Sequence, residues 1–271
     1  REMGRVVAWV SLVVSLCVVG AVFGADVPAW QYVGSTFLDP ELYLTSSEGI
    51  ASTEGLLYFN GRQVMTVTDT QYSITEPGFQ ALSIPLPLRE MGYDHLGDGD
   101  IFEGLLYQGL ERQHYETYTN ATLLTYNTTT LEWTGHYAQT LQMHMPWVAV
   151  NPDTEELFSS DWSPVDYVYV YDAHNLTQKR LLPLSLEITE PQGGGFFDGL
   201  LYISCNDDNV YIFDPTTGEN VGMFASGFSA EMEGLTFLDL RAQGQGMLHI
   251  LDGNVGTPWE GSHHMLYHYD F

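Results

Sequence analysis

Beyond residue 26 the hydrophobic pattern is that of short, evenly spaced strands. The phrase Gly55-Leu56-Leu57-Tyr58 returns as Gly104-Leu105-Leu106-Tyr107 and Gly199-Leu200-Leu201-Tyr202, with weaker copies at Glu155-Glu156-Leu157-Phe158 and Gly246-Met247-Leu248-His249. Their starts lie 49, 51, 44 and 47 residues apart. A second phrase keeps step with the first, an alternating apolar run that closes on an aromatic residue and then Asn or Asp: Leu124-Thr125-Tyr126-Asn127, Tyr169-Val170-Tyr171-Asp172, Tyr211-Ile212-Phe213-Asp214 and Tyr267-His268-Tyr269-Asp270. Period-two alternation ending in a turn former is a strand running into a hairpin. Asp214-Pro215-Thr216-Thr217-Gly218 has the early Pro and late Gly of a tight turn. Each unit reads as inner strand, turn, Gly-Leu-Leu-Tyr strand, hairpin, aromatic strand, turn and outer strand, which is a four-stranded propeller blade at a propeller's period.

The expected fold is therefore all-β, a propeller of five blades over residues 26–271, and no helix is expected within it. Six blades is the alternative, if residues 26–50 form part of an additional one. The unit ending at Asp270-Phe271 has three strands, and the strand-like Gln31–Phe37 is placed to supply its fourth. Joining the two ends of the chain in one blade removes an exposed sheet edge and locks the ring.

The first 25 residues follow another pattern. From Val6 to Ala25 no residue is charged and most are apolar, with Arg5 just before. This is a hydrophobic signal peptide, cleaved after Gly24, or a signal anchor helix, the run being about enough to cross a ~30 Å hydrocarbon layer. Either way the remainder is expected to be secreted, extracellular or lumenal, with membrane contact confined to residues 6–25. The sequons at Asn120, Asn127 and Asn175 lie in polar, turn-like stretches and fit a glycoprotein. Cys17 lies in the apolar run, so Cys205 has no intradomain partner and is expected to be a small buried residue.

Charge narrows the partners. With 35 Asp and Glu against 8 Lys and Arg, the net is −27, which excludes nucleic acid and disfavours anionic membrane. Such acidity serves solubility, or else some of the carboxylates converge on a cation. In a propeller the first strand of each blade lines the central channel, so equivalent positions form a ring. Counting seven back from each Gly-Leu-Leu-Tyr start gives Glu48, Gly97, Val148 and Gln192, and Glu233-Gly234-Leu235 matches Glu48-Gly49-Ile50 in the last blade. Glu48, Asp98, Gln192 and Glu233, with Asp100 near by, form an oxygen-only donor set for a hard cation such as Ca²⁺. Glu48 and Glu233 bonding only to neighbouring strand ends is the other reading of the same spacing. His95, Trp147 and Glu231 are candidates for a pocket beside this set.

The Glu-Gly-apolar blade opening within Gly-Leu-Leu-Tyr repeats resembles the calcium-dependent β-propeller superfamily of the gluconolactonase, paraoxonase and strictosidine synthase groups, with NHL-type binding propellers as relatives. The resemblance implies a metal-ligand role for Glu48 and lets Asp98 stand for an Asp ligand. Gln192, however, stands where an Asn or Asp is expected, and those families have six blades. Other constellations carry less. His263, His264 and His268, beside Gly261 and Ser262, are expected to be exposed loop residues rather than a transition-metal site. The aromatic run at 166–171 with Trp147 and Trp162 fits blade packing better than a sugar-stacking face. No Gly-x-Ser-x-Gly elbow occurs. The expected function is a binding module for a protein or glycan ligand, with an axial structural Ca²⁺, and whether the chain is also an enzyme stays open with the balance against it. The alternative is a Ca²⁺-dependent hydrolase of the lactonase or arylesterase type.

Overall fold

The structure, a computed structural model, describes residues 27–38, 47–112, 120–228, 231–255 and 263–271, and the side chains of 254, 255 and 263 are outside it as well. The expected leader at 1–25 lies outside the described residues. Among those that are described, no helix is long and apolar enough to cross a membrane.

The strands form five four-stranded antiparallel sheets, and the ring has five blades rather than six. The N-terminal strand β1 (Gln31–Phe37) belongs to the last of them. Blade 1 is β2 (Gly49–Thr53), β3 (Leu56–Gly61), β4 (Val64–Asp69) and β5 (Ile74–Gln80). Blade 2 is β6 (His95–Phe102), β7 (Leu105–Glu111), β8 (Thr122–Asn127) and β9 (Trp133–Gln139). Blade 3 is β10 (Ala149–Asn151), β11 (Glu156–Ser159), β12 (Val165–Asp172) and β13 (Gln178–Ile188). Blade 4 is β14 (Pro191–Phe197), β15 (Leu200–Cys205), β16 (Asn209–Phe213) and β17 (Asn220–Ala225). Blade 5 is β18 (Met232–Phe237), β19 (Leu248–Val255) and β20 (His263–Asp270), completed by β1 along β20. Among the described residues two short helical turns, α1 (Leu86–Glu90) and a 3-10 turn at Arg241–Gln243, correct the expectation of none. Pro85 just before α1 supplies a helix-start signal that the strand periodicity concealed.

The repeated phrases have separable physical causes. In Gly-Leu-Leu-Tyr the glycine closes a two-residue hairpin. Glu103 and Gly104 have φ +49° and +77°, and Asp198 and Gly199 +49° and +74°, as a type I′ turn requires. The following Leu and Tyr point to opposite faces of their strand. Leu57 packs between blades 5 and 1 and Tyr58 between blades 1 and 2, and Leu106 and Tyr107 repeat this one blade on. Both faces of each sheet are thus buried, giving five interblade cores in place of one. The Asn or Asp after the aromatic strand builds the next turn: Asn127 Oδ1 accepts from the Thr129 and Thr130 amides, and Asp214 Oδ1 from those of Thr216 and Thr217. The tyrosines then tie blade to blade, Tyr58 donating to the Thr128 carbonyl and Tyr107 to the Ala173 carbonyl. Cys205 is buried in the core between blades 3 and 4, where burial pushes its thiol well up.

Candidate functional site

The inner strands β2, β6, β10, β14 and β18 meet on the ring axis, and β6 lies against β14 and β18 across it. Glycine makes that approach possible. A Cβ on Gly49 would stand 2.7 Å from Asp98 Cα, one on Gly193 2.7 Å from the Leu235 nitrogen, and one on Gly234 2.9 Å from the Ile50 nitrogen. The glycine of each Glu-Gly or Gln-Gly blade opening is therefore set by ring closure, whatever its neighbour does.

Into this glycine layer reaches Asp98, fully buried. Its Oδ1 accepts from the Ile50 amide at 2.8 Å, and its Oδ2 from the Gly194 and Leu235 amides at 3.3 and 3.2 Å. Its own backbone bonds to the Pro146 carbonyl and the Val148 amide. One residue of blade 2 thus reaches the other four blades, three at their inner strands and blade 3 at the residues that lead into β10. Burial raises its carboxyl well above the usual range, against the pull of the three amides. The plug divides the channel into a proximal mouth, where inner strands begin, and a distal mouth, where they end.

The proximal mouth gathers ionisable groups. Glu48 stands one residue before β2, and Gln192 and Glu233 are the extra residues of bulges, the register skipping from Pro191 to Gly193 and from Met232 to Gly234. A bulge re-aims one side chain without moving the strand. His95 at the start of β6 brings Nε2 to 3.1 Å from Glu48 Oε2, the two side chains being 12% and 15% exposed. Arg62 Nε donates to His95 Nδ1 at 3.2 Å, which leaves the imidazole proton on Nε2, aimed at Glu48. Burial works against charging His95, but the Glu48 hydrogen bond and the charges of Glu48 and Glu111 outweigh it and raise its pKa. Glu111, paired with His95 across the hairpin, receives the Met145 amide and lies 3.3 Å from His144 Nδ1. The carboxyl of Glu233 is raised well above the usual range by burial, then by the charge of Glu48 and those of Glu231, Asp252 and Asp98.

The expected site residues therefore divide. Glu48, His95, Gln192 and Glu233 share the proximal mouth, and Glu231 is exposed at its rim. Asp98 faces amides, and Asp100 lies beyond it toward the distal mouth, accepting from the Ile101 and Val150 amides. The five expected metal ligands do not share one coordination shell, and among the described residues no group of three or more His, Cys, Asp or Glu is arranged around a metal position. Trp147 is no pocket residue: it is fully buried, donates to Ser160 Oγ at 2.9 Å and lies against Gly194. His264 and His268, expected to be exposed, are buried on β20, because the strand begins earlier than the Gly261-Ser262 pair suggested. Asn120, Asn127 and Asn175 are exposed, Asn127 at the end of β8 and Asn175 in the turn after β12.

Sequence reasoning missed Arg62, Glu111 and His144. Glu111 closes the strand that Gly-Leu-Leu-Tyr opens, opposite His95, so pairing register was the available signal. Arg62 and His144 gave none, since β3–β4 and the approach to β10 carry no repeat there.

No family model and no curated protein matches the sequence. Among solved structures, the crystal structure of the Myxococcus xanthus glutaminyl cyclase aligns with TM-score 0.64 at 12% identity, over 89% of this chain and 96% of that one. A luciferin-regenerating enzyme aligns with TM-score 0.59 at 13% identity, over 88% and 96%. At these identities the likeness is one of fold, and both relatives are enzymes by name.

Proposed function

We propose that the proximal mouth is the active site of an acid–base enzyme acting on an amide or ester carbonyl, with cyclisation of an N-terminal glutaminyl residue the first reaction to test. The observation that carries this is the pairing of two differently held acids: Glu233, whose carboxyl is raised by burial and then by the charge of Glu48, beside Glu48, which is braced by His95 and through it by Arg62. Two carboxyl groups in different environments are a general acid and a general base. The fold likeness to a glutaminyl cyclase supports the choice of substrate, and the acidic chain favours a cationic peptide N-terminus.

In that reaction the N-terminal ammonium first gives one proton to water, the neutral α-amino nitrogen attacks the γ-carboxamide carbon, and a second proton passes from it to the Glu48–His95 pair. The C–N bond then breaks, and the Glu233 proton leaves on ammonia. Gln192 offers an amide that hydrogen-bonds either partner. Glutaminyl peptides should release ammonia, and Glu233→Gln and Glu48→Gln should each lower kcat by about 100-fold or more with the fold intact. No turnover of glutaminyl peptides, esters or lactones would leave the mouth as a binding site for a protein or glycan.

One observation favours a second reading. The crowding of acids that raises Glu233 would be relieved by Ca²⁺ as well as by a proton. Glu48, Glu233 and Gln192 would be its protein ligands, supplying carbonyl polarisation in a hydrolase or rigidity in a binding module. EGTA separates the two, because a bound ion makes the melt fall on chelation and the acid reading leaves it unchanged. We propose further that the chain is secretory and glycosylated, which the exposure of all three sequons supports; an unchanged mass after endoglycosidase treatment of protein from a eukaryotic host would refute it.

A further inference from the structure

At the distal mouth the ring leaves a cavity of about 200 Å³. It is lined by the distal ends of the inner strands, with Ser52, Asp100, Val150, Gly195 and Thr236 from the five blades in turn. Asp100 is the one acid in this lining, which it shares with Phe102, Phe196 and Phe237. A groove of about 750 Å³ between blades 5 and 1 shares Ser52 and Phe237 with it.

The chemistry of the lining selects the occupant. Each Asp100 oxygen receives one backbone amide, from Ile101 at 2.7 Å and Val150 at 2.9 Å, and keeps further lone pairs. The Ser52 and Thr236 hydroxyls bond to each other at 2.8 Å, and Ser52 also donates to the Phe237 carbonyl at 3.0 Å, so neither is a free donor for an anion. An anion would meet a carboxylate. A neutral apolar molecule would leave that carboxylate desolvated without a partner. A hard divalent ion wants six to eight oxygens, where this lining offers one carboxylate among phenyl rings. A carboxylate that shares its lining with three phenyl side chains suits an organic cation, whose charge meets the carboxylate and whose alkyl groups meet the rings.

We propose that the distal mouth is a binding site for a small alkylammonium ion, with Asp100 as counter-ion and Phe102, Phe196 and Phe237 as its apolar wall. The site is independent of the proximal mouth, since Asp98 and the glycine layer close the channel between them. The experiment is a calorimetric titration of the intact chain with tetramethylammonium chloride against sodium chloride at equal ionic strength, with Asp100→Asn and Phe237→Leu in parallel. Saturable heat in the wild type that sodium does not reproduce, weakened about tenfold or more in both variants, is the expected result. Wild-type heats equal to those of sodium, or an Asp100→Asn variant that binds like the wild type, would overturn it. Should Asp100→Asn not fold, Phe237→Leu decides alone, and an affinity unaltered there counts against the site. Turnover at the proximal mouth should be untouched in Asp100→Asn, so failure here is distinguishable from failure of the proposed enzyme.

Discussion

A carboxylate cut off from water and met by backbone N–H groups has few ways to be replaced, and Asp98 is in that position. Truncating it to Ala would orphan the amides of Ile50, Gly194 and Leu235 at the centre of the ring. A buried unsatisfied donor costs about 1–3 kcal/mol. Asp98→Ala should therefore lose about 3 kcal/mol or more in urea unfolding, and Asp98→Asn less, because one amide oxygen still accepts while its NH₂ faces donors. A loss under about 1 kcal/mol in Asp98→Ala would show that water takes over the three amides. In the sequence Asp98 looked like a metal ligand, since an acid near a channel mouth is chemically the same object whether it meets a cation or amides. Its partners lie 48, 96 and 137 residues away, and only the glycine contacts decide which of them it reaches.

Strands were the most legible elements, because alternation, turn formers and constant spacing all state the same thing locally. The partnership of β1 with β20 was legible too, as a missing strand and an unassigned one. What holds it polar was not. At the closure a hydrogen-bond chain runs one way: the Leu238 carbonyl can only accept, so His249 Nε2 carries the proton and its Nδ1 accepts from His268 Nδ1, at 2.9 Å. His268 Nε2 then accepts from the Thr36 hydroxyl at 2.8 Å, Thr36 accepts from Gln245, and Gln245 accepts from Tyr72. Both imidazoles must be neutral for this. Burial lowers His249 to about 4 and, with the neighbouring imidazole, His268 to about 3. Folded values below the unfolded one mean that the unfolded chain takes up protons first, so this contribution is whole above about pH 6.5 and drains away as pH falls. The raised carboxyls act oppositely, Asp100 at about 6 contributing stability that is lost as pH rises through that value. The contrast with a His249→Gln, His268→Gln double variant removes the carboxyl part. Relative to that variant, the wild type should lose about 4 kcal/mol between pH 7 and pH 5 in urea unfolding, and parallel pH profiles would show that the imidazoles are solvated.

At the scale of the whole ring, blade number followed from five copies of one phrase, but the division of the channel into two mouths did not. It depends on a plug and a bulge register that no one-dimensional spacing encodes, which is why residues expected to converge stand on opposite sides of Asp98. Charge is the remaining global property. A chain at −27 with 8 Lys and Arg cannot neutralise itself, and several of those cations are already taken, Lys179 and Arg180 by Glu156 and Arg241 by Asp239. The net repulsion acts between surface carboxylates farther apart than ion pairs, a range that salt screens beyond about 10 Å at 0.1 M. The interblade cores and the Asp98 amides are dry and short-ranged and do not feel that screening. Sodium chloride raised from about 0.02 to 0.5 M should therefore raise the melting temperature, whereas a fold held by its surface ion pairs would melt earlier. On the proposed function, the same field would draw a cationic peptide toward the proximal mouth, so kcat/KM for it should fall over that range while kcat stays level. A salt-independent kcat/KM together with a rising melt would mean that the acidic surface serves solubility and stability alone, and that substrate reaches the proximal mouth without steering.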